Sequence, residues 1–496
     1  MALPKIIGSE TEFGLTVQND RGFDSIATSL LLVNSYNADQ SPRLLWDYDQ
    51  EEPLVDARGF EHDETCEVPD QQDNMALNKI LNNGARFYVD HAHPEYSTPE
   101  CSNVLDLLRY EKAGERILNR SCAGANQLLP SGHTIIIYKN NSDRKGSSYG
   151  YHENYLLDRR TPFQLLAEHL MPFLVTRQIY SGAGKVGSEN GAEPVPYQIS
   201  QRADFFETEM GLDTMVKRPI INTRDEPHAN RDRYRRLHVI IGDANMSEYT
   251  TYLKVGTTLL VLEMIEEGAL PAPLALRNPV RALRDVSHDL TCKLSLPMRN
   301  GTMMSAIDIQ RCFWEAAQRY VETHADCHPT YPGVVREWGA VLDRLAADPM
   351  DLHREIDWVI KMHLLKTYGE RSRMAAEARS DRLLMLDLQY HDIRREKGLY
   401  FLLERRGQVD RIVSDAEIDK AMVDPPQNTR AKMRGELIKL AKKKRIPYDL
   451  DWNYIRIGYL LNLWVKCNDP FQEENEKVTQ LKRRIERSNF KYGYLL

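Results

Sequence analysis

Two short segments near the start of the chain alternate apolar and polar residues with a period of two. In Arg86-Phe-Tyr-Val-Asp90, read as a strand, Arg86, Tyr88 and Asp90 share one face, and Phe87 and Val89 share the other. A row of Arg, Tyr and Asp over an apolar back is the pattern of an active-site floor. Lys5-Ile-Ile-Gly-Ser-Glu-Thr-Glu-Phe-Gly14 repeats it, with Glu10 and Glu12 on one face, opposite Ile7 and Phe13. His133–Lys139, His152–Tyr155, Pro219–Thr223 and Leu237–Ile241 read as further strands. The last two place Asn222 and Arg224 on one face and Arg236 and His238 on another. Leu107, Leu108, Ala113 and Ile117 fall near helical spacing and predict a helix over Asp106–Ala123. Helices are also expected over Thr250–Glu267 and Met350–Tyr368, and a turn-rich loop over Asn140–Gly150. The fold class is α+β.

Residues 41–75 break the pattern. Eleven acids there face only Arg43 and Arg58, which predicts a loop that buries little apolar surface. Trp46, Tyr48 and Phe60 lie in the same stretch, and a solvating loop has no need of them; they point to a loop that touches the site or a partner. Pro425-Pro426 marks a boundary, after which the chain turns basic (Lys439, Lys442, Lys443, Lys444, Arg445). The expected division is a catalytic domain over 1–424, with the acidic insertion at 41–75, and a small C-terminal domain over 425–496. The run Lys442–Arg445 reads as a solvated helix face.

At 496 residues the chain can bury a large core, and 28% charged against 42% hydrophobic residues is ordinary for a globular protein. A net charge of −7 gives no electrostatic footprint for nucleic acid. The seven cysteines are scattered without a CxxC pair, which suits reduced thiols. The N-terminus lacks the basic and apolar regions of a secretory signal, and the apolar stretch near 256–265 is too short to span a bilayer. The expected location is the cytoplasm, with no membrane partner.

Glu10 and Glu12 are a paired-carboxylate signal for a hard cation such as Mg²⁺, which shares its sphere with substrate phosphates. His91-x-His93 offers a zinc reading, that of a metal-dependent amidohydrolase. Strand alternation puts both histidines opposite Asp90, with Phe87 and Val89, which speaks against it. His152 and His238, each taken alone, read as structural histidines. Gly182-Ala-Gly-Lys-Val-Gly187 fits neither phosphate-loop pattern and reads as a turn.

Several longer motifs carry a resemblance. Gly8-Ser-Glu-Thr-Glu-Phe-Gly14, Tyr88-Val-Asp-His-Ala-His-Pro-Glu-Tyr-Ser97, Lys139-Asn-Asn, His152-Glu-Asn-Tyr155, Ile221-Asn-Thr-Arg-Asp-Glu-Pro-His228 and Arg236-Leu-His-Val-Ile-Ile-Gly-Asp243 resemble the Pup ligase/depupylase family. That family is similar to glutamine synthetase and the carboxylate–amine ligases. One branch joins the modifier Pup to lysines with ATP. The other deamidates the C-terminal Gln of Pup and cleaves Pup from lysines. The insertion Trp46–Phe60 and Asp90-His-Ala-His-Pro-Glu95 resemble the depupylase branch, and Cys467-Asn-Asp-Pro-Phe471 the ligase branch.

The resemblance implies a glutamine-synthetase-like curved antiparallel sheet backed by helices, with a small C-terminal domain. It implies Asp90 as the catalytic aspartate. Glu10, Tyr88 and Glu95 would be Mg²⁺ ligands, with Glu12, His152 and His238 as further ligands. Arg86, Thr98, Arg236 and Trp452 would hold ATP, or ADP plus phosphate. Arg202 and Arg224 would lie near phosphate or the modifier's terminal carboxylate. The implied partners are Pup or a Pup-like modifier and pupylated proteins.

Overall fold

The computed structural model describes residues 2–20, 22–36, 44–48, 51–60, 71–371, 376–458 and 463–487. Its central sheet is six-stranded and wholly antiparallel. The strands are β1 (Ile7–Glu12), β3 (Asn78–Ile80), β4 (Arg86–Asp90), β5 (His93–Ser97), β6 (Tyr151–Asp158) and β7 (Tyr234–Val239); β2 (Leu44–Trp46) belongs to a second sheet. Their order is β7-β6-β1-β5-β4-β3. The alternation read from the sequence holds in β1 and β4: Ile7, Phe87 and Val89 are buried, while Glu10, Glu12, Tyr88 and Asp90 lie on the more open face.

The back of the sheet rests on α1 (Val104–Asn126), whose Leu107, Leu108, Ala113 and Ile117 are fully buried. Behind it lie α2 (Phe163–Ser181) and α3 (Glu248–Glu266), apolar on nearly every side because other helices surround them. Among the described residues no helix is long and apolar enough to cross a membrane.

Three expectations need correction. The helix expected from Met350 begins only at Asp357, after a 3₁₀ turn over Pro349–Leu352. Asp357 is committed elsewhere: its carboxylate accepts from the Ser247 backbone N–H, and its own N–H donates to Thr250 Oγ1. The acidic segment is not a free loop. Trp46 is 2% exposed, and β2 pairs in parallel with β8 (Tyr448–Asp451) of the C-terminal part. A second core therefore gathers Trp46 and Ile80 with Leu437, Leu450, Ile455 and Leu481 across almost the whole chain length. Residues 61–70 of the acidic stretch lie outside the described residues. Finally, His93 does not share the buried face of Phe87. His91 has φ +52°, a left-handed turn, so the chain reverses after Asp90 and His93 pairs directly with it. The reversal turns His93 toward Glu12, 3.2 Å away.

Candidate active site

Strand register assembles the site. Glu10 on β1 stands opposite His152 on β6; Glu12 stands opposite Glu95 on β5, which in turn faces Tyr88 on β4. His238 on β7 lies beside Asn154 of β6. Side chains on one face of adjacent strands are about 5 Å apart, so these rows gather into two clusters. In one, ligand atoms of Glu10, His152 and His238 lie within 4.8 Å of one another; in the other, those of Glu12, Asp90 and Glu95 do.

The first cluster is pre-oriented. His152 Nδ1 lies 3.3 Å from Glu10 Oε2, and the Asn154 amide donates to Glu10 Oε1 at 2.8 Å. That amide leaves its oxygen to accept from His238 Nδ1, also at 2.8 Å, so His238 keeps the Nε2 lone pair free. Burial and the Arg236 charge hold His238 well below its usual pKa and hence neutral, as a metal ligand must be. Burial works against the Glu10 carboxylate, yet His152, His238 and Arg236 outweigh it and keep Glu10 ionised.

The second cluster is crowded with acid. Burial, then Asp90, Glu12 and Glu10, push Glu95 well above the usual carboxyl range. Tyr88 is raised by burial and then by Glu95, Glu10 and Asp90. Three carboxyls with oxygens within 4.8 Å of one another, one driven toward its neutral form, are a site that a divalent cation would relieve. Asp90 sits in this cluster, and its Oδ2 is held at 3.0 Å by His91 Nδ1. Gly150 completes the wall: its N–H donates to Glu12 Oε1, and a Cβ there would press on His152 Nε2 and lie 2.8 Å from Glu12 Oε1.

Next to the first cluster a pocket runs between Ile6, Leu156, Pro227 and Pro470, and it takes in Thr98, Arg236 and Trp452. Arg86, expected beside them, does not line it. Arg86 stacks over Trp46 at 3.9 Å and over Tyr88 at 4.0 Å, and donates to Asn78, Tyr48 and Glu51. Trp46 in turn meets Trp452 edge-on at 5.5 Å. The insertion thus stands between Arg86 and the pocket.

Arg202 and Arg224 form no ion pair among the described residues. Arg202 donates to Ile240 O, Gly242 O and Ser148 Oγ; burial and Arg218 push its pKa down to about 10. Arg224 donates to Pro53 O and is lowered by burial and Arg236. Neither guanidinium has its charge answered by a carboxylate partner, which leaves each able to meet an anion. Beyond Glu12 a cleft of about 510 Å³ opens between His93, Tyr149, Arg144, Lys145, Lys185 and Leu384.

The family model described as Pup-ligase protein matches residues 5–456. The chain belongs to this family. Within it, the chain is 48% identical over 442 residues to a depupylase of Acidothermus cellulolyticus, covering 88% of this chain and 87% of that one. It is 43% identical over 444 residues to a Pup deamidase/depupylase of Mycolicibacterium smegmatis, covering 88% of each. The crystal structure of the complex between Pup and its ligase PafA superposes with a TM-score of 0.83 at 35% identity, over 97% of this chain and 91% of that one. The structure of PafA in complex with ADP gives 0.77 at 37% identity, over 86% and 97%. The Pup ligase family fold is therefore the α+β architecture described above.

Sequence reasoning missed four members of this site. Asn154 lay in a segment already read as a strand and Arg218 just before one, but nothing local marks their partners. Glu51 needed the insertion to be seen, and His91, weighed in the sequence only as a zinc ligand, needed the left-handed turn to be placed against Asp90.

Proposed function

We propose that the chain is a Pup deamidase and depupylase, an amidohydrolase acting on the C-terminal Gln side chain of Pup and on the isopeptide bond between Pup and lysine. The observation that carries this reading is the placement of Asp90: one oxygen held by His91, the carboxyl gathered with Glu12 and Glu95, and an anion-seeking Arg202 nearby. The relatives named depupylase, at 48% and 43% identity, favour this branch over the ligase.

Both substrates present an amide carbonyl carbon. Hydrolysis adds water across the C–N bond: oxygen joins carbon, the nitrogen leaves as ammonia or a lysine amine, and a proton must pass to it. Asp90 Oδ1 is free to accept that proton from water or to attack the carbonyl itself, two routes that share the same placement. Arg202 and Arg224 neutralise charge on the terminal carboxylate or on phosphate.

A nucleotide is proposed in the pocket between Leu156, Pro227 and Trp452, held by Thr98, Arg236 and Trp452, with Arg86 positioned behind Trp46. Mg²⁺ suits the all-oxygen set of Glu12, Glu95 and Asp90. Glu10 with two imidazoles is a mixed set that softer divalent ions also accept. Bound metal would supply charge neutralisation for the oxyanion and the phosphates. Pup, an acidic and disordered modifier, would enter by the cleft beyond Glu12, where Lys145 stands beside Arg144 and Lys185, each paired with an acid. The six described cysteines are all free, as in a reducing cytoplasm.

The test is a gel assay with the purified chain, Mg-ATP, Gln-ended Pup and a Pup–lysine conjugate, with Asp90→Asn alongside. Deamidation and cleavage that disappear in the variant are expected. Conjugates formed from Glu-ended Pup with steady ADP release would instead make the chain a ligase.

A further inference from the structure

The pocket beside Glu10 contains a residue whose geometry the reaction does not yet use. His228 lines it, in a left-handed backbone conformation with φ +45°. Non-glycine residues rarely adopt that region, and when they do the surroundings hold them there for a purpose. Here the clamp is Arg430. It donates to the His228 carbonyl at 2.7 Å while its other edge is paired with the buried Glu100.

The imidazole stands between two acids and reaches neither. Nδ1 is 3.8 Å from Asp451 Oδ1, and Nε2 is 3.7 Å from Glu226 Oε2. Asp451, on β8, is fully buried, and neither of its oxygens has a side-chain donor among the described residues. A buried carboxyl without a side-chain donor is costly, and native proteins keep one where a partner arrives. Burial also lifts Asp451 to about 7 and drives His228 down to about 3, so the imidazole remains neutral. Glu226 is itself anchored, by Arg236 at 3.3 Å and by the Glu52 backbone N–H.

The position along the pocket indicates the ligand group. One end carries Glu10, Asn154 and Arg236, the charge that phosphates and metal require; the other carries Ile6, Leu156 and Pro470, the apolar walls a base requires. His228 belongs to the same lining. We infer that His228 reads the ribose hydroxyls of the bound nucleotide, with Asp451 as its positioning residue. The Asp451 carboxyl, 3.8 Å from Nδ1, favours the tautomer with the proton on that nitrogen, which leaves the Nε2 lone pair to accept from a hydroxyl. Two neighbouring ribose hydroxyls then donate one proton each, one to Nε2 and the other to Glu226 Oε2, two acceptors that stand 3.7 Å apart. Carboxylates that accept from ribose hydroxyls are the common solution in nucleotide folds. Because Asp451 belongs to the C-terminal part and His228 to the central sheet's flank, the nucleotide would join the two.

This rests on the nucleotide reading given above, so the experiment separates the two. The affinities of the full chain for ADP, 2′-deoxyADP and 3′-deoxyADP are measured by calorimetry with Mg²⁺ present. The unmodified chain should bind ADP about tenfold more tightly than the weaker of the two deoxy analogues. In His228→Asn, which tolerates the left-handed backbone, and in Asp451→Leu, that ratio should fall to near one, with affinity for the deoxy analogue within twofold of the unmodified chain. Asp451→Asn, whose carbonyl still favours the proton on Nδ1, should retain most of the discrimination. Variants that keep the full ratio, or that weaken ADP and both analogues equally, overturn the inference while leaving the nucleotide site intact. Failure of the unmodified chain to bind any of the three overturns the nucleotide reading itself, and this inference with it.

Discussion

Lys139→Met tests how the floor of the site is held. Lys139 is fully buried behind the sheet and donates to Glu111 at 2.7 Å and to Glu115 at 2.9 Å. Glu111 also accepts from Tyr151 at 2.7 Å and lies 3.4 Å from the Ser9 hydroxyl. Ser9 and Tyr151 are strand neighbours of Glu10 and His152, so one buried carboxylate ties together the two strands that carry the first cluster. Burial opposes the charge on Glu111, but Lys139 and Lys254 outweigh it and hold the carboxyl at about 2 against an ordinary 4.5. At about 1.4 kcal/mol per pH unit, that difference is worth about 3 kcal/mol, within the 3–5 kcal/mol typical of removing one partner of a buried pair. Glu115 retains Lys112, so Glu111 bears most of the loss.

The sign of the pH dependence follows. Glu111 is depressed in the folded chain, so its contribution is present above about 4.5 and is lost as pH falls through 2. Lys139 is raised, so its share is full below its unfolded value of about 10 and does not change between pH 4 and 8. In Lys139→Met the Glu111 carboxyl rises, and folded protein can take up a proton there. The deficit of the variant should be full at pH 7 and should narrow as pH falls from 5 toward 3. Urea unfolding of the metal-free chain at several pH values, followed by tryptophan fluorescence, measures it. Lys139→Met/Glu111→Gln should recover about 2 kcal/mol relative to the sum of the single changes. A deficit below about 1 kcal/mol at pH 7, or a double variant additive within about 0.5 kcal/mol, would refute the reasoning.

Asp90→Asn should lower turnover by about 10²–10⁴-fold with unchanged nucleotide affinity, measured by single-turnover deamidation and calorimetry. Gly150→Ala should raise the Mg²⁺ concentration for half-maximal activity by about tenfold, because the added methyl crowds His152 and Glu12; an unchanged Mg²⁺ curve would show that these two residues do not bind metal. Trp452→Ala should weaken ADP by about tenfold or more if the indole stacks on the base, with Pup affinity unaltered in fluorescence anisotropy. Chelation should abolish turnover, and Mg²⁺ without zinc should restore it; restoration by zinc alone would revive the zinc amidohydrolase reading.

What the sequence reveals about this chain ends where local periodicity ends. Inside β1 and β4 a period of two is enough to put Glu10 with Glu12, and Tyr88 with Asp90, because a strand's faces depend only on the parity of residue number. The same rule misplaces His93, because a single left-handed residue at His91 reverses the chain, and histidine carries no reliable signal for that conformation. The acidic segment fails for a different reason. Its composition describes a solvated loop, and composition is blind to the four hundred residues that separate Trp46 from its partner strand Tyr448–Asp451. Once that pairing forms, Glu51 is delivered to Arg86, Pro53 to Arg224 and Glu52 to Glu226, three contacts with groups of the site. Long-range pairing of this kind is also what places Asp451 behind His228. The features most legible in the sequence are therefore the strands that carry the two acidic clusters, built from neighbours in the chain. The features least legible are those that bring the insertion and the C-terminal part to the site, because each is made by residues that meet only in the folded protein.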